Sequence, residues 1–205
     1  MEIDRTKIGL VYGSDTGATE DITYAIVQKC EFWEIDVQAV SKIDTSYFEQ
    51  YDFIILGLST WYDGDLQSDW EDFFEDFKTV DFTNKIIAIF GLGDQFGYDD
   101  YFIDGVGMLA EFVLKNGGRI IGHWPSEDYD FSASKASVDQ DTFYGLALDE
   151  DNESHASEER IDRWTKQLHT ELSDLSPYGQ RVKTGDYRDN REKKLQAQEP
   201  KDKLM

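Results

Sequence analysis

The sequence has little cysteine, little positive charge and no long apolar run. Its 205 residues include one cysteine, which excludes an intrachain disulfide and a cysteine-rich metal site. The longest apolar runs have the length of a β-strand, and the N-terminus has no apolar stretch like that of a signal peptide. We therefore expect a cytoplasmic protein that does not act on a membrane and holds no metal.

Aspartate and glutamate far outnumber lysine and arginine. The chain has 43 acidic and 20 basic residues, with a formal net charge of -23 at pH 7. The field of such a surface repels the phosphates of nucleic acids and attracts basic proteins. This balance excludes a nucleic-acid partner and favours basic protein partners, with simple solubility as the alternative explanation of the charge.

The last 29 residues differ from the rest of the chain in charge and in pattern. Residues 177–205 hold eight lysines and arginines against five acidic residues and show almost no apolar periodicity. We therefore predict a folded domain at 1–176 and a polar, mildly basic, disordered extension at 177–205. One hypothesis is that the basic extension screens the acidic domain; a plain spacer is the alternative.

Apolar patterns predict five strands that alternate with helices. Strands are expected at 8–12, 37–40, 51–57 and 85–90. A fifth begins at 119–122, is interrupted by a polar segment at 123–142 and resumes at 143–148. Continuous apolar runs of this kind are typical of strands covered on both faces. The predicted fold class is therefore α/β, with a doubly wound five-stranded parallel sheet in the order 2-1-3-4-5.

Amphipathic patterns predict helices with one buried face. The residues expected on these faces are Leu66, Trp70, Phe73, Phe74 and Phe77; Val106, Leu109, Ala110, Val113 and Leu114; and Ile161, Trp164, Leu168 and Leu172. Ser157 is the expected N-cap of the last helix, and Cys30 is expected to be a buried small side chain. The aromatic residues between 70 and 77 are interpreted as core because their spacing matches helix packing.

A turn rich in hydroxyl groups follows the first strand. It consists of Ser14, Asp15, Thr16, Gly17, Ala18 and Thr19. A strand, a tight turn and a helix start direct backbone N–H groups and the positive end of a helix dipole at one point, which favours a phosphate. No lysine or arginine lies between Lys7 and Lys29, so this is not the lysine-containing loop of nucleoside triphosphatases. We predict a phosphate held by neutral dipoles, with ordinary turn and cap chemistry as the alternative.

Two further loops follow the third and fourth strands. Residues 59–64 and 91–98 contain Trp61 and Tyr98 beside glycines and acids. In doubly wound sheets ligands bind beyond the carboxyl ends of the strands, where all three loops lie. A flat aromatic ligand with a phosphate tail fits this set, and flavin mononucleotide (FMN) is the natural candidate. The alternative is that either aromatic ring only packs against its loop.

Five segments together carry a family resemblance. Residues 14–19, 59–64, 66–70, 91–98 and 145–151, in this order, resemble a long-chain bacterial flavodoxin. The resemblance covers about residues 5–175, and the segment at 123–142 is similar to the extra segment of long-chain members. The residues after 176 depart from the family pattern.

The resemblance implies non-covalently bound FMN and a set of residues that hold it. Trp61 and Tyr98 would flank the ring, the turn at 14–19 would hold the phosphate, and Thr60, Asp94 and Asp151 would serve the ribityl chain or the ring edge. The peptide near Tyr62 and Asp63 would bond to flavin N5. The full cofactor set is Ser14, Asp15, Thr16, Gly17, Ala18, Thr19, Thr60, Trp61, Tyr62, Asp63, Gly64, Gly93, Asp94, Tyr98 and Asp151, with no catalytic residue and no metal ligand.

The implied function is electron transfer at low potential. A flavodoxin of this kind would be a monomer that carries electrons from a basic flavodoxin/ferredoxin-NADP reductase to acceptor enzymes. The loops contain no cation to offset negative charge on the reduced flavin, which indicates a strongly negative potential. Two alternatives are an FMN-dependent quinone reductase of related fold and a cofactor-free signalling domain that uses Asp15 and Asp94.

Overall fold

The computed structural model describes residues 7–31 and 33–175 of the chain. Contacts within the chain divide it into two units, residues 1–168 and 169–205. In the described part, the first unit holds the sheet, and the second holds residues 169–175. The extension predicted at 177–205 lies outside the described residues. No helix in the described part is long and apolar enough to cross a membrane.

A parallel sheet forms the centre of the first unit. The strands are β1 (Lys7–Tyr12), β2 (Glu34–Ala39), β3 (Phe53–Trp61), β4 (Asp65–Leu66), β5 (Ile86–Leu92), β6 (Arg119–Ile121), β7 (Trp124–Pro125), β8 (Thr142–Phe143) and β9 (Leu146–Leu148). The main sheet has the order β2-β1-β3-β5-β6, and all its neighbours are parallel. β4 is only a short hairpin strand on β3, so β5 and β6 are the fourth and fifth strands of the main sheet. The predicted order 2-1-3-4-5 is therefore confirmed.

The fifth position of the sheet is filled by two separate strands. Residues Ile86–Ala88 of β5 pair with β6, and Phe90–Leu92 of the same strand pair with β9. The predicted resumption at 143–148 is therefore too long. Phe143 belongs to β8, which pairs antiparallel with β7 inside the intervening segment. Only the last three residues, Leu146–Leu148, return to the sheet, where they pair with β5.

Five α-helices connect or follow the strands in the described residues. They are α1 (Ala18–Lys29), α2 (Ser46–Glu49), α3 (Ser68–Phe77), α4 (Asp104–Lys115) and α5 (Ser154–Asp174). The predicted core faces are largely confirmed. Trp70, Phe73 and Phe77 of α3 are buried, as are Trp164 and Leu168 of α5. Cys30, at the C-cap of α1, is also buried.

Several local predictions were wrong. Leu66 lies in β4, opposite Thr60 of β3, and not in the following helix; a two-residue strand is too short to show a period of its own. The same pairing extends β3 to Trp61, beyond the predicted end at residue 57. Leu114, expected on a buried face of α4, is 44% exposed.

The predicted cap of the last helix was also wrong. α5 begins at Ser154, so Ser157 lies inside the helix. The turn is already formed before Ser157, because the Glu153 N–H donates to the Asp149 carbonyl and the Ala156 N–H donates to the Glu153 carbonyl. The Ser157 hydroxyl donates to the Glu150 carboxylate and is buried.

Candidate functional site

A cavity of about 310 Å³ lies at the carboxyl ends of the parallel strands. It is lined by Thr16, Ala18, Thr19, Ser59, Thr60, Trp61, Tyr62, Leu92, Gly93, Asp94, Tyr98, Glu150 and Asp151. These residues come from the ends of β3 and β5 and from the segments after β1, β3, β5 and β9. The volume falls within the usual range for small-ligand sites, roughly 300–1,000 Å³.

Ten of the fifteen predicted cofactor residues line this cavity. The five that do not are Ser14, Asp15, Gly17, Asp63 and Gly64. Ser59, Leu92 and Glu150 line the cavity but were missed. Each of the three missed residues adjoins a predicted one in the chain, so its position in the same loop segment was the available signal.

The turn after β1 presents the start of α1 to the cavity. Ala18 and Thr19, the first two residues of α1, line the cavity, so the positive end of the helix dipole lies there. Gly17 precedes them at φ 96, a left-handed conformation that favours glycine. Its N–H donates to the Ser14 hydroxyl at 3.1 Å. Ser14 therefore shapes the turn from outside the cavity lining.

Asp15 directs its carboxylate to the N-terminus of α3. Oδ1 accepts from the Ser68 hydroxyl at 2.5 Å and from the Gln67 side-chain amide at 2.8 Å, and Oδ2 accepts from the Ser68 N–H at 3.5 Å. Burial alone would raise the pKa of Asp15, but these hydrogen bonds outweigh it and lower the pKa. The side chain thus joins the turn to α3.

The hairpin after β3 places two aromatic rings at the cavity. The Gly64 N–H donates to the Trp61 carbonyl at 3.1 Å and closes a turn whose tip is the exposed Asp63. The Trp61 ring N–H donates to the Ser59 hydroxyl at 2.9 Å, which fixes the indole. Tyr62 adopts φ 44 and is 63% exposed, a strained conformation of the kind that clusters at binding sites.

Asp94 organises the loop that carries Tyr98. Its Oδ1 accepts from the N–H groups of Phe96 at 3.0 Å and Gly97 at 2.7 Å, and from the Asn152 side-chain amide at 2.9 Å. Burial raises the pKa of Asp94, but the bonds from Gly97, Asn152 and Phe96 outweigh it and hold the pKa below its usual value. The Tyr98 N–H donates to the Asp94 carbonyl, and its ring is 43% exposed.

A buried carboxylate that the sequence pattern did not reveal joins two of the loops. Asp149 is 0% exposed. Its oxygens accept from the backbone and side-chain N–H groups of both Gln95 and Asn152, at 2.9 to 3.1 Å. Gln95 in turn accepts from the Asp130 N–H at 2.9 Å. The sequence showed only an acidic loop here, because burial of a single carboxylate leaves no periodic signal.

The cavity lining carries negative charge without a compensating cation. Asp94, Glu150 and Asp151 line it, and none of its thirteen residues is lysine, arginine or histidine. Thr60, whose hydroxyl accepts from the Gly105 N–H at 3.1 Å, and the hydroxyls of Thr16 and Thr19 supply neutral polar groups. This donor set fits a phosphate monoester joined to a flat ring. Among the described residues, no group of three or more histidines, cysteines or acids could hold a metal ion.

Comparison with known proteins identifies the family. The family model for flavodoxin matches residues 10–164. The chain is 42% identical to the flavodoxin of Haemophilus influenzae over 80% of this chain and 95% of that one, and 42% identical to flavodoxin 1 of Escherichia coli K12 over 80% and 93%. The crystal structure of Fusobacterium nucleatum flavodoxin bound to flavin mononucleotide superposes with a TM-score of 0.76 and 26% identity, over 80% of this chain and 98% of that one.

The chain therefore belongs to the flavodoxin family. The resemblance inferred from five segments is confirmed at this level. Assignment to the long-chain members, on the basis of the segment at 123–142, stays a prediction.

Proposed function

We propose that this flavodoxin holds FMN in the cavity at the strand ends and carries electrons at low potential between a reductase and acceptor enzymes. Flavodoxins are electron carriers and not enzymes, and FMN is their cofactor. The observation that supports the placement of FMN is that one cavity gathers ten of the fifteen residues predicted for it. The alternatives of a quinone reductase and of a cofactor-free signalling domain gain no support from the site.

The phosphate of FMN belongs at the turn after β1. Thr16, Ala18 and Thr19 line that end of the cavity, and α1 begins there. Backbone N–H groups and the helix dipole stabilise an anion without a cationic side chain. Hydroxyl groups of Thr16 and Thr19 add donors. Neutral donors suit a phosphate that stays bound and undergoes no chemistry.

The ring of FMN belongs between the hairpin and the loop after β5. Trp61 and Tyr98 come from these two segments and both line the cavity. Stacking on aromatic rings contributes on the order of 1 kcal/mol per pair beyond the burial of surface. The hydrogen bond to Ser59 holds the Trp61 ring before the cofactor arrives, and the Asp94 bonds order the loop that carries Tyr98.

The acidic lining supports a low potential. When bound, FMN supplies one-electron oxidation and reduction on its ring. Asp94, Glu150 and Asp151 line the same cavity, and no cationic side chain lines it. Added negative charge on the ring is therefore repelled by the like charges of the lining. The protein thus disfavours the reduced cofactor and makes it a strong reductant.

Basic redox proteins are the proposed partners. Flavodoxins in general serve as redox partners of reductases and other enzymes. The formal charge of -23 attracts a basic partner, such as a flavodoxin/ferredoxin-NADP reductase, in the cytoplasm. Tyr62 and Tyr98 are both exposed where they line the cavity, so a partner can approach the ring edge there.

Flavin titrations of the full-length protein test the placement of the cofactor. We expect Trp61→Ala and Tyr98→Ala to lower the affinities for FMN and for riboflavin alike, by about tenfold, because the two flavins share the ring. Thr16→Val should weaken FMN but not riboflavin. Tyr24→Ala, at a 50% exposed tyrosine outside the cavity lining, is the control. Unchanged affinities in Trp61→Ala and Tyr98→Ala would contradict the proposed ring site.

A further inference from the structure

Asp15 connects two elements that are far apart in the chain. It lies in the turn after β1, and its bonds from Gln67 and Ser68 cross 52 and 53 residues of sequence. Ser68 is the first residue of α3, and Gln67 is its N-cap. The carboxylate therefore receives the first N–H of a ten-residue helix as well as two side-chain donors.

The receiving end of this connection is rigid. Gln67 is fully buried, and its Oε1 accepts from the Trp70 N–H at 3.2 Å. A Cβ built on Gly13 would lie 1.9 Å from that Oε1 and 2.6 Å from the Trp70 ring, so Gln67 and Trp70 pack directly on the chain just before the turn. The Trp70 ring N–H also donates to the Gly57 carbonyl at 2.9 Å. Gln67 is thus fixed against the sheet, and with the adjacent Ser68 it can fix the turn.

The direction of the Asp15 side chain also matters electrostatically. A carboxylate facing a bound phosphate would repel it. Asp15 does not line the cavity, and its charge lies instead at the N-terminus of α3, where the helix dipole favours an anion. The same bonds that order the turn therefore keep its acidic side chain away from the phosphate site.

We propose that Asp15 is a positioning residue for the phosphate of FMN, which acts by tying the turn at 14–19 to Ser68 and Gln67 at the start of α3. This inference rests on the proposed phosphate site and adds a function for a side chain that does not touch the ligand. Ser68 is then a remote determinant of affinity for flavins that carry a phosphate. Riboflavin, which lacks the phosphate, is not expected to respond to either residue.

Flavin affinities of full-length variants test this connection between Asp15 and the start of α3, called the tie below. Flavin-free protein is titrated with FMN and with riboflavin, and the ratio of the two affinities isolates the contribution of the phosphate. We expect Ser68→Ala, which loses the hydroxyl bond to Asp15, to lower this ratio about fivefold, the effect of losing one hydrogen bond. Asp15→Ala loses all three bonds and should lower the ratio at least as far. The double variant should fall no further than Asp15→Ala alone, because the Ser68 hydroxyl acts through Asp15. Ser68→Thr, which keeps the hydroxyl, should retain the ratio.

A control and a second readout separate positioning from general stability. Asp69→Asn removes a carboxylate from the next position of α3, where no side-chain hydrogen bond is formed among the described residues, and should leave the ratio unchanged. In flavin-free Ser68→Ala, the amide protons of Gly17 and Thr19 should exchange faster than in the unmodified protein. This readout needs no bound cofactor.

The outcomes also separate this inference from the proposed site. An unchanged ratio in both Asp15→Ala and Ser68→Ala, with Thr16→Val lowering it, would overturn the tie and leave the phosphate site standing. A ratio that rises in Asp15→Ala would mean that repulsion by the carboxylate dominates, which also overturns the tie. An unchanged ratio in Thr16→Val as well would overturn the phosphate site itself.

Discussion

Replacing Asp149 with asparagine tests whether a buried carboxylate holds the ring site together. Oδ2 of Asp149 accepts two N–H groups of Gln95, and Oδ1 accepts two of Asn152, whose side-chain amide also lies 3.0 Å from Oδ2. Asparagine has nearly the same shape but offers one acceptor oxygen, so its amide must face one of these donor pairs. Two hydrogen bonds to a charged group are lost, each worth about 1.5 kcal/mol. We expect the free energy of unfolding to fall by about 3 kcal/mol.

The same change should weaken the binding of FMN. Gln95 and Asn152 hold the loop of Asp94 and Tyr98, so a loosened loop must be ordered when FMN binds, and we expect about a tenfold loss of affinity. Denaturant unfolding of the flavin-free protein and fluorescence titration with FMN measure the two effects. Asp130→Asn is the matched control, because only the backbone N–H of Asp130 joins the network. Wild-type stability and affinity in Asp149→Asn would refute the reasoning.

Three other perturbations test the account. Gly13→Ala should lower the free energy of unfolding by about 2 kcal/mol in denaturant, since its Cβ would lie 1.9 Å from Gln67 Oε1; an unchanged value would contradict the packing. Because the pKa of Asp94 is lowered in the folded state, its contribution to stability is present above about pH 4 and lost as the pH falls through the folded pKa. Asp94→Asn should therefore reduce the fall in the free energy of unfolding between about pH 5 and pH 2. A fall as steep as that of the unmodified protein would contradict this contribution of Asp94. Stopped-flow association with a basic reductase should slow as salt rises, and a salt-independent rate would exclude electrostatic steering.

The architecture was readable from the sequence because the central strands β3 and β5 are long and apolar. All seven residues of β5 are buried, as are the first six of β3, and such runs alternate with helical patterns in a way few folds allow. The two-residue strands were not readable. β4, β7 and β8 are defined as strands by their pairing with another strand. No local sequence pattern separates them from loops.

The sequence indicates which loop segments meet at the cavity, but not the direction of every side chain in them. Thr16, Trp61 and Tyr98 line the cavity because the ends of parallel strands must meet. Asp15 occupies the right turn, but its side chain leaves the cavity for α3, which depends on a residue more than fifty positions away. Asp149 was missed for the same reason, since its partners come from another loop.

Reductive titration of the full-length protein with bound FMN, beside free FMN at the same pH and ionic strength, tests the central claim most directly. The cavity carries three carboxylates and no lysine or arginine, so the potential at which the flavin accepts its second electron should be more negative than that of free FMN. Asp151→Asn should raise it. A potential equal to or above that of free FMN would contradict the account.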